Sequence, residues 1–278
     1  MIAVPQPWRG GGSLGSPLVV LAAWLSGGVL LAFILLPLLQ LVAVQTAGTL
    51  LAAARATDVQ SALTLSITAS ILTALIAGLF GVPFAYFLAR ADFVGKSAVA
   101  AIVDVPLTVP HTVAGIALLM VFGRHGVIGG PAEDFLGLRF WGTLAGIVVA
   151  MLFVSLPYTV NAARIAFEGV DPRLEMVART LGLGPWRVLA RITVPLAWRG
   201  IATGLTLTFA RSISEFGAVV ILVYYPMTAP VQIYEMFLRY GVEEASAVAV
   251  LLLTISLALF ILFRHIAYGR RPVAGSGR

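Results

Sequence analysis

Polar residues are sparse along this chain, and long apolar runs separate them. Residues 10–54 carry no charge and contain a run at roughly 18–44, longer than the about 20 apolar residues a helix needs to cross a bilayer. Similar runs cover 59–89, 140–163 and 245–263. Two more stretches have the right length but are interrupted by charge: roughly 98–122 contains Asp104, and roughly 200–223 contains Arg211 and Glu215. The pattern predicts an all-α, polytopic membrane protein with six transmembrane helices occupying 18–268, preceded by a glycine-rich flexible tail at 1–17 and followed by a short tail at 269–278. Six crossings put both ends on one side. Pro83 and Pro157 fall inside the second and fourth spans and predict kinks there, because proline removes a helix hydrogen bond.

Between the fourth and fifth spans the pattern changes. Residues 168–199 are too polar for lipid and long enough to fold. Asp171-Pro172 reads as a helix start, an N-cap followed by a proline at the first helical position. About two helical turns follow, from Arg173 to Leu181, and Gly182 and Gly184 with Pro185 stop them. Trp186 to Ile192 reads as a second short amphipathic helix with Trp186, Leu189 and Ile192 on one apolar side, and Pro195 opens the approach to the fifth span. The expectation is a helix–turn–helix knob. Its apolar residues fit either an anionic lipid surface or the groove of a partner protein.

Composition narrows the class. The chain has 278 residues, 60% hydrophobic and 11% charged, where an ordinary soluble domain carries about 25% charge. That argues against a soluble enzyme and against a disordered scaffold, which needs low hydrophobicity and high charge. With no cysteine, disulfides, iron–sulfur clusters and Cys-ligated zinc are excluded. The net charge of +6 would point to nucleic acid in a soluble protein, but here the arginines sort by side. Thirteen of the eighteen basic residues fall at the two termini, at Arg90 and Lys96, and in the 164–199 segment; four (Arg55, Arg124, Arg139, Arg239) fall on the opposite side, and Arg211 lies within a span. The positive-inside rule then places both termini and the knob in the cytoplasm. Nucleic-acid binding is not needed to explain the basicity.

Catalytic motifs are weak. Gly11-Gly12-Ser13-Leu14-Gly15 matches a hydrolase nucleophile pattern but lacks the strand and helix that pattern requires. Gly95-Lys96-Ser97 resembles the end of a phosphate-binding loop, but Arg90 stands where its first glycine belongs. His111, His125 and His265 are scattered and offer no metal-binding spacing.

Two stretches carry a resemblance. Ala178, three residues, Gly182, nine residues, then Ile192-Thr193-Val194-Pro195 resembles the EAA loop of ABC-importer permeases. Met176 stands at the Glu position of that pattern with Glu175 beside it, Val177 replaces the first Ala, and Val194 replaces the Leu. Residues 209–219, FARSISEFGAV, resemble the fifth span of permeases for molybdate, tungstate and sulfate. Tyr224-Tyr225-Pro226-Met227-Thr228-Ala229-Pro230 and the 109–117 stretch, VPHTVAGIA, are most similar to the archaeal-type tungstate/molybdate branch.

The resemblance implies a type I ABC-importer permease fold. It makes the 168–199 loop the coupling element that docks on a separate ATPase, through Glu175, Met176, Val177, Ala178, Gly182, Pro185, Trp186, Ile192 and Pro195. It implies two ATP-binding subunits that hold ATP and Mg, a second permease copy, an extracytoplasmic oxyanion-binding protein and a lipid environment in a prokaryotic cell membrane. No cofactor is expected on this chain, and it is not an enzyme in itself. Sulfate or thiosulfate is the alternative cargo. An ion-coupled secondary transporter is a more distant alternative, because such folds usually show inverted repeats.

The charges within the spans are the remaining candidates. Arg211 and Glu215 stand four apart on one helix face, either as a neutralising pair that holds the bundle together or as part of the anion path. Asp104 reads as a cap or a partner, with Arg211 one choice for it. His111 reads as a structural side chain or as a donor to a passing oxyanion.

Overall fold

A computed structural model describes residues 17–269. The described residues fold into helices, with no strand among them. The glycine-rich start, including 11–15, and the tail beyond 269 lie outside the described residues. The chain divides into two compact units, one ending at Ala47 and one beginning at Gly48. The first contains α1, Pro17–Ala43, an uninterrupted apolar helix that coincides with the first predicted span.

Helix α2 (Ala47–Arg55), whose first residue closes the first unit, and α3 (Thr57–Ile76) open the second unit. A π-helical turn at Ala77–Gly81 joins α3 to α4 (Val82–Arg90), so the second predicted span is one apolar segment of 34 residues, Thr57–Arg90. The wide turn sits two residues before Pro83. A proline ring clashes with the carbonyl four residues earlier, and one extra residue in the turn relieves the clash. The same device recurs at the π-helical turn Leu189–Thr193, two residues before Pro195. Pro157, by contrast, lies within the unbroken helix Leu144–Glu168.

The third and fifth segments depart from straight spans. The third is two helices, α5 (Lys96–Thr108) and α6 (His111–Phe122), bent by 111° at Val109-Pro110. Proline disfavours helical geometry at the residue before it, and Val109 is extended with ψ 128°. After α7 (Gly129–Leu136) and α8 (Leu144–Glu168) come α9 (Pro172–Thr180) and α10 (Pro185–Val188). The fifth segment is α11 (Val194–Ile213), which stops at Ser214 and restarts as α12 (Gly217–Leu222). The chain closes with α13 (Ala229–Tyr240) and α14 (Val242–Gly269). Among the described residues four helices are long and apolar enough to cross a membrane, or five if the bent pair counts as one.

Helix α8 is the hub of the second unit, packed by α3, α4, α5, α6, α11 and α12. Its tightest neighbour is α11. A Cβ added at Gly200 would lie 2.3 Å from Ala166 Cβ, and one at Gly204 would lie 2.9 Å from Ala162 Cβ. The Gly200/Gly204 pair therefore serves helix packing within this chain. Dispersion and polar contacts do this work in a membrane, and they require small residues at the crossing. One core, with Met151, Val154, Val219 and Leu222, fills the end near α6 and α12. Another, with Leu88, Phe167, Val170 and Ile201, fills the end near α9.

Candidate functional site

Two polar clusters stand out, one at each end of this packing. The first lies at the α9–α10 loop. Asp171 caps α9, its carboxylate accepting the Arg173 N–H at 2.9 Å, and Pro172 occupies the first turn. Gly182 ends the element with φ +85°, a left-handed conformation that favours glycine. The predicted first helix and its stop are therefore present. The second helix differs from expectation: α10 is one turn, and it runs through the π-helical turn directly into α11. Inside this stretch Val188 and Thr193 are fully buried, whereas Trp186 is 81% exposed. The loop is thus the overhanging start of α11, which makes it continuous with the helix behind it.

The side chains of this loop divide by face. Met176, Val177, Leu181 and Trp186 point outward, with Leu181 77% exposed. Ala178 and Glu175 point inward, and Glu175 is only 5% exposed. Its Oε1 accepts from Arg90 Nε at 3.0 Å, from Arg90 Nη2 at 2.9 Å and from the Thr193 hydroxyl at 3.0 Å; its Oε2 accepts from the Tyr86 hydroxyl at 3.1 Å. Arg90 also donates to the Val170 carbonyl at 2.9 Å. Gly182, Pro185 and Pro195 remain on the exposed side, and Ile192 is half-buried. Arg90, Tyr86 and Thr193 were not among the residues singled out by sequence. The available signal was a Tyr and an Arg four apart at the end of one apolar helix, but their partner lies 85 or more residues away.

The second cluster forms where the two broken segments meet. Gly115 of α6 faces Ala218 and Ile221 of α12, and an added Cβ there would lie 2.9 Å from Ile221 Cβ. That close approach brings His111, the first residue of α6, against the end of α11. Arg211 Nη2 donates to Glu215 Oε2 at 2.8 Å and approaches His111 Nε2 at 2.6 Å. A guanidinium has only donors, so the ring nitrogen facing it accepts. His111 Nδ1 lies 3.5 Å from Glu215 Oε2. The other Glu215 oxygen accepts the Ala218 N–H at 2.8 Å, satisfying a donor left open by the start of α12. Glu215 is 1% exposed, while the side chains of Arg211 and His111 retain 22% and 44%.

Sequence reasoning joined Arg211 to Glu215 correctly and left His111 apart. Asp104 is not the partner of Arg211: Asn161 of α8 donates to its Oδ1 at 2.6 Å. The reason is the bend, since Asp104 lies on α5 and His111 on α6, beyond Pro110. Asn161 was missed, although a lone amide within an apolar run is a visible signal. Among the described residues no three His, Cys, Asp or Glu side chains cluster closely enough to hold a metal ion.

A third cluster, outside the spans, joins Glu133, Arg139 and Trp141. The Trp141 indole N–H donates to Glu133 at 2.9 Å, and Arg139 pairs with the same carboxylate at 2.9 Å. The Trp141 bond, then Arg139, hold the Glu133 carboxyl below its ordinary range. Tyr224 donates to Glu235, which lowers the Glu235 carboxyl and raises the Tyr224 hydroxyl.

Comparison with known proteins defines the class. The family described as "Binding-protein-dependent transport system inner membrane component" matches residues 81–271, and this chain belongs to it. It is a permease component of an ABC import system and a multi-pass membrane protein. The particular kinship is narrower. The chain is 47% identical over 206 residues to the molybdate/tungstate transport system permease protein WtpB of Thermococcus kodakarensis, covering 74% of this chain and 77% of that one. It is 40% identical over 205 residues to the molybdenum transport system permease protein ModB of Escherichia coli, covering 72% and 89%. Two crystal structures of bacterial alginate ABC transporters share the fold at TM-scores of 0.73 and 0.72, with 16% and 17% identity, covering 91% and 90% of this chain and 96% and 94% of those chains. The second contains an alginate pentasaccharide-bound periplasmic protein.

Proposed function

We propose that this chain is the membrane-spanning subunit of an ATP-driven importer for tungstate and molybdate. The observation that carries the reading is the α9–α10 loop: a short element anchored by buried polar bonds on its inner side and presenting exposed apolar side chains outward. Such an element suits docking in a partner's groove. The tungstate/molybdate cargo is supported by the names of the archaeal and bacterial relatives, which favour it over sulfate or thiosulfate.

In this reading 18–268 forms six crossings, with the bent α5–α6 pair as the third and α11–α12 as the fifth, and both termini are cytoplasmic. Loop 168–199 docks on an ATPase subunit that binds ATP and Mg. Met176, Val177, Gly182, Pro185 and Trp186 form its contact face. Ala178, Ile192 and Pro195 set the shape of that face. Two copies of the chain enclose the path, two ATPase subunits drive it, and a binding protein delivers the oxyanion to the outer side near 123–140 and 224–243. Arg211 and His111 line the path where the helix breaks meet, with Glu215 buried behind them as their counter-charge, and Asp104 braces α5 against α8. Arg211 and Glu215 cancel in charge, so donors are available without a net cation that would hold a dianion tightly. That balance suits release as well as entry.

The test is uptake in vesicles that contain the chain, its ATPase and its binding protein, with molybdate, tungstate and sulfate offered equally. ATP-dependent uptake of tungstate or molybdate is expected. Uptake of sulfate alone would correct the cargo, and uptake driven by an ion gradient without ATP would overturn the reading. Gly182→Asp is expected to abolish co-purification with the ATPase while the permease stays folded.

A further inference from the structure

We infer that Glu175 is a positioning residue that carries motion of the coupling loop into the second membrane segment through Arg90. The inference rests on the reading of 168–199 as the coupling loop and goes beyond it by naming a second route out of that loop. By covalent connection the loop can move only α8, which precedes it, and α11, which follows it. The Glu175 carboxylate adds a link that the chain does not supply.

The geometry is specific. Tyr86 and Arg90 lie four apart on α4, at the end of the segment Thr57–Arg90. Both reach Glu175 on α9, Arg90 by two nitrogens at 3.0 and 2.9 Å and Tyr86 by its hydroxyl at 3.1 Å. Thr193, in the π-helical turn before α11, closes the same carboxylate from the third side at 3.0 Å. The second bond of Arg90, to the Val170 carbonyl, fastens the start of the loop as well. One carboxylate therefore joins α4, α9 and the entry to α11. Four donors converge on its two oxygens, and the Glu175 side chain is only 7% exposed. A charge-assisted pair in such surroundings is stiff, because separating it exposes an uncompensated charge.

Helix geometry explains why the link forms at position 175. Successive residues of an α-helix point about 100° apart, which follows from 3.6 residues per turn. Met176 faces outward on the docking side, and Glu175 is turned inward. The carboxylate is therefore an internal strut, and the outward position beside it is apolar. Docking of this loop is then an apolar contact, and the ionic bond transmits movement within the chain.

The experiment uses the complete importer in proteoliposomes and measures ATP hydrolysed per oxyanion imported, with molybdate as the probe. The variants are Glu175→Gln, Arg90→Gln, the charge exchange Glu175→Arg with Arg90→Glu, and the milder Tyr86→Phe. Each is first checked for co-purification with the ATPase. In Glu175→Gln and Arg90→Gln the ATPase should remain bound and active, while uptake per ATP falls about tenfold, the scale of a typical coupling between sites. Tyr86→Phe, which keeps the ion pair, should lose a smaller part, and the charge exchange should recover part of the loss. Unchanged uptake per ATP in Glu175→Gln and Arg90→Gln would overturn the inference. So would loss of ATPase binding in Tyr86→Phe, since the cluster would then shape the docking face. If the unaltered chain bound no ATPase, the coupling-loop reading itself would fail, which the control separates from failure of the strut.

Discussion

Two glutamate–arginine pairs, Glu175–Arg90 and Glu215–Arg211, look alike as pairs of residue types and behave differently in the fold. Glu175 on α9 is surrounded by donors from α4 and from the turn before α11, and its partner also fastens a backbone carbonyl. Glu215 is even more deeply buried, yet its arginine and His111 keep an open side. The first pair joins three elements that are each continuous. The second sits at two helix interruptions, between α5 and α6 and between α11 and α12, and holds them to each other. A buried carboxylate bonded from several elements gives stiffness, whereas the second cluster leaves the polar groups of Arg211 and His111 partly accessible beside a buried carboxylate. The proposed lever calls for the first property and the proposed anion path for the second.

Removing one carboxylate from each pair is the most direct way to break that contrast. Glu215→Ala leaves Arg211 within the bundle without its counter-charge, and thermal unfolding in detergent should show the largest loss, about 3–5 kcal/mol. The double change Arg211→Gln with Glu215→Gln should recover most of that stability, because no charge is then stranded. If the recovered protein still fails to transport, the pair has a role on the path beyond holding the bundle. Glu175→Ala should cost less, about 2–3 kcal/mol, because Arg90 keeps its bond to the Val170 carbonyl, whereas loss of the Glu215 carboxylate also strands the Ala218 N–H.

Two smaller changes sharpen the contrast by leaving both pairs intact. Asp171→Ala removes the cap of α9 and should cost about 1 kcal/mol, with the Glu175 cluster unaffected. A matching loss in uptake per ATP would mean that the helix start, as well as the strut, sets the loop position. The smallest effect is expected at the half-buried Glu133–Arg139–Trp141 cluster. The lowered Glu133 carboxyl means that its bonds contribute fully above its ordinary value of 4.5 and are lost as pH falls through the lower folded value. Fluorescence of a variant retaining Trp141 as its only tryptophan should therefore stay constant on acidification to about pH 5 and change only below it. A transition near neutral pH would contradict the assignment of that carboxylate.

Local rules reached well into this fold. Length and apolarity located α1, the segment Thr57–Arg90, α8 and α14, since each must satisfy its backbone within itself in lipid. Asp171-Pro172 and Gly182 located α9 for the same kind of reason: caps act on neighbouring residues in the chain. The i, i+4 spacing joined Arg211 to Glu215. The π-helical turns before Pro83 and Pro195 were less accessible, because proline announces a disturbance and the packing around it decides between a kink and a wider turn.

What the sequence determined by itself, then, was everything set by periodicity and nearest neighbours: an all-helical membrane chain, its polar loop, the ends of α9, and the motif spacing that placed it among ABC permeases. Only the tertiary structure decided which way Glu175 faces, that His111 joins Arg211 and Glu215, and that Asp104 belongs to Asn161. Each of those contacts joins residues distant in sequence, and each depends on a bend or a close helix crossing. A bond between α4 and α9 spans 85 residues, and no local preference encodes it. Packing selects it, because a buried carboxylate must find its donors wherever the fold brings them.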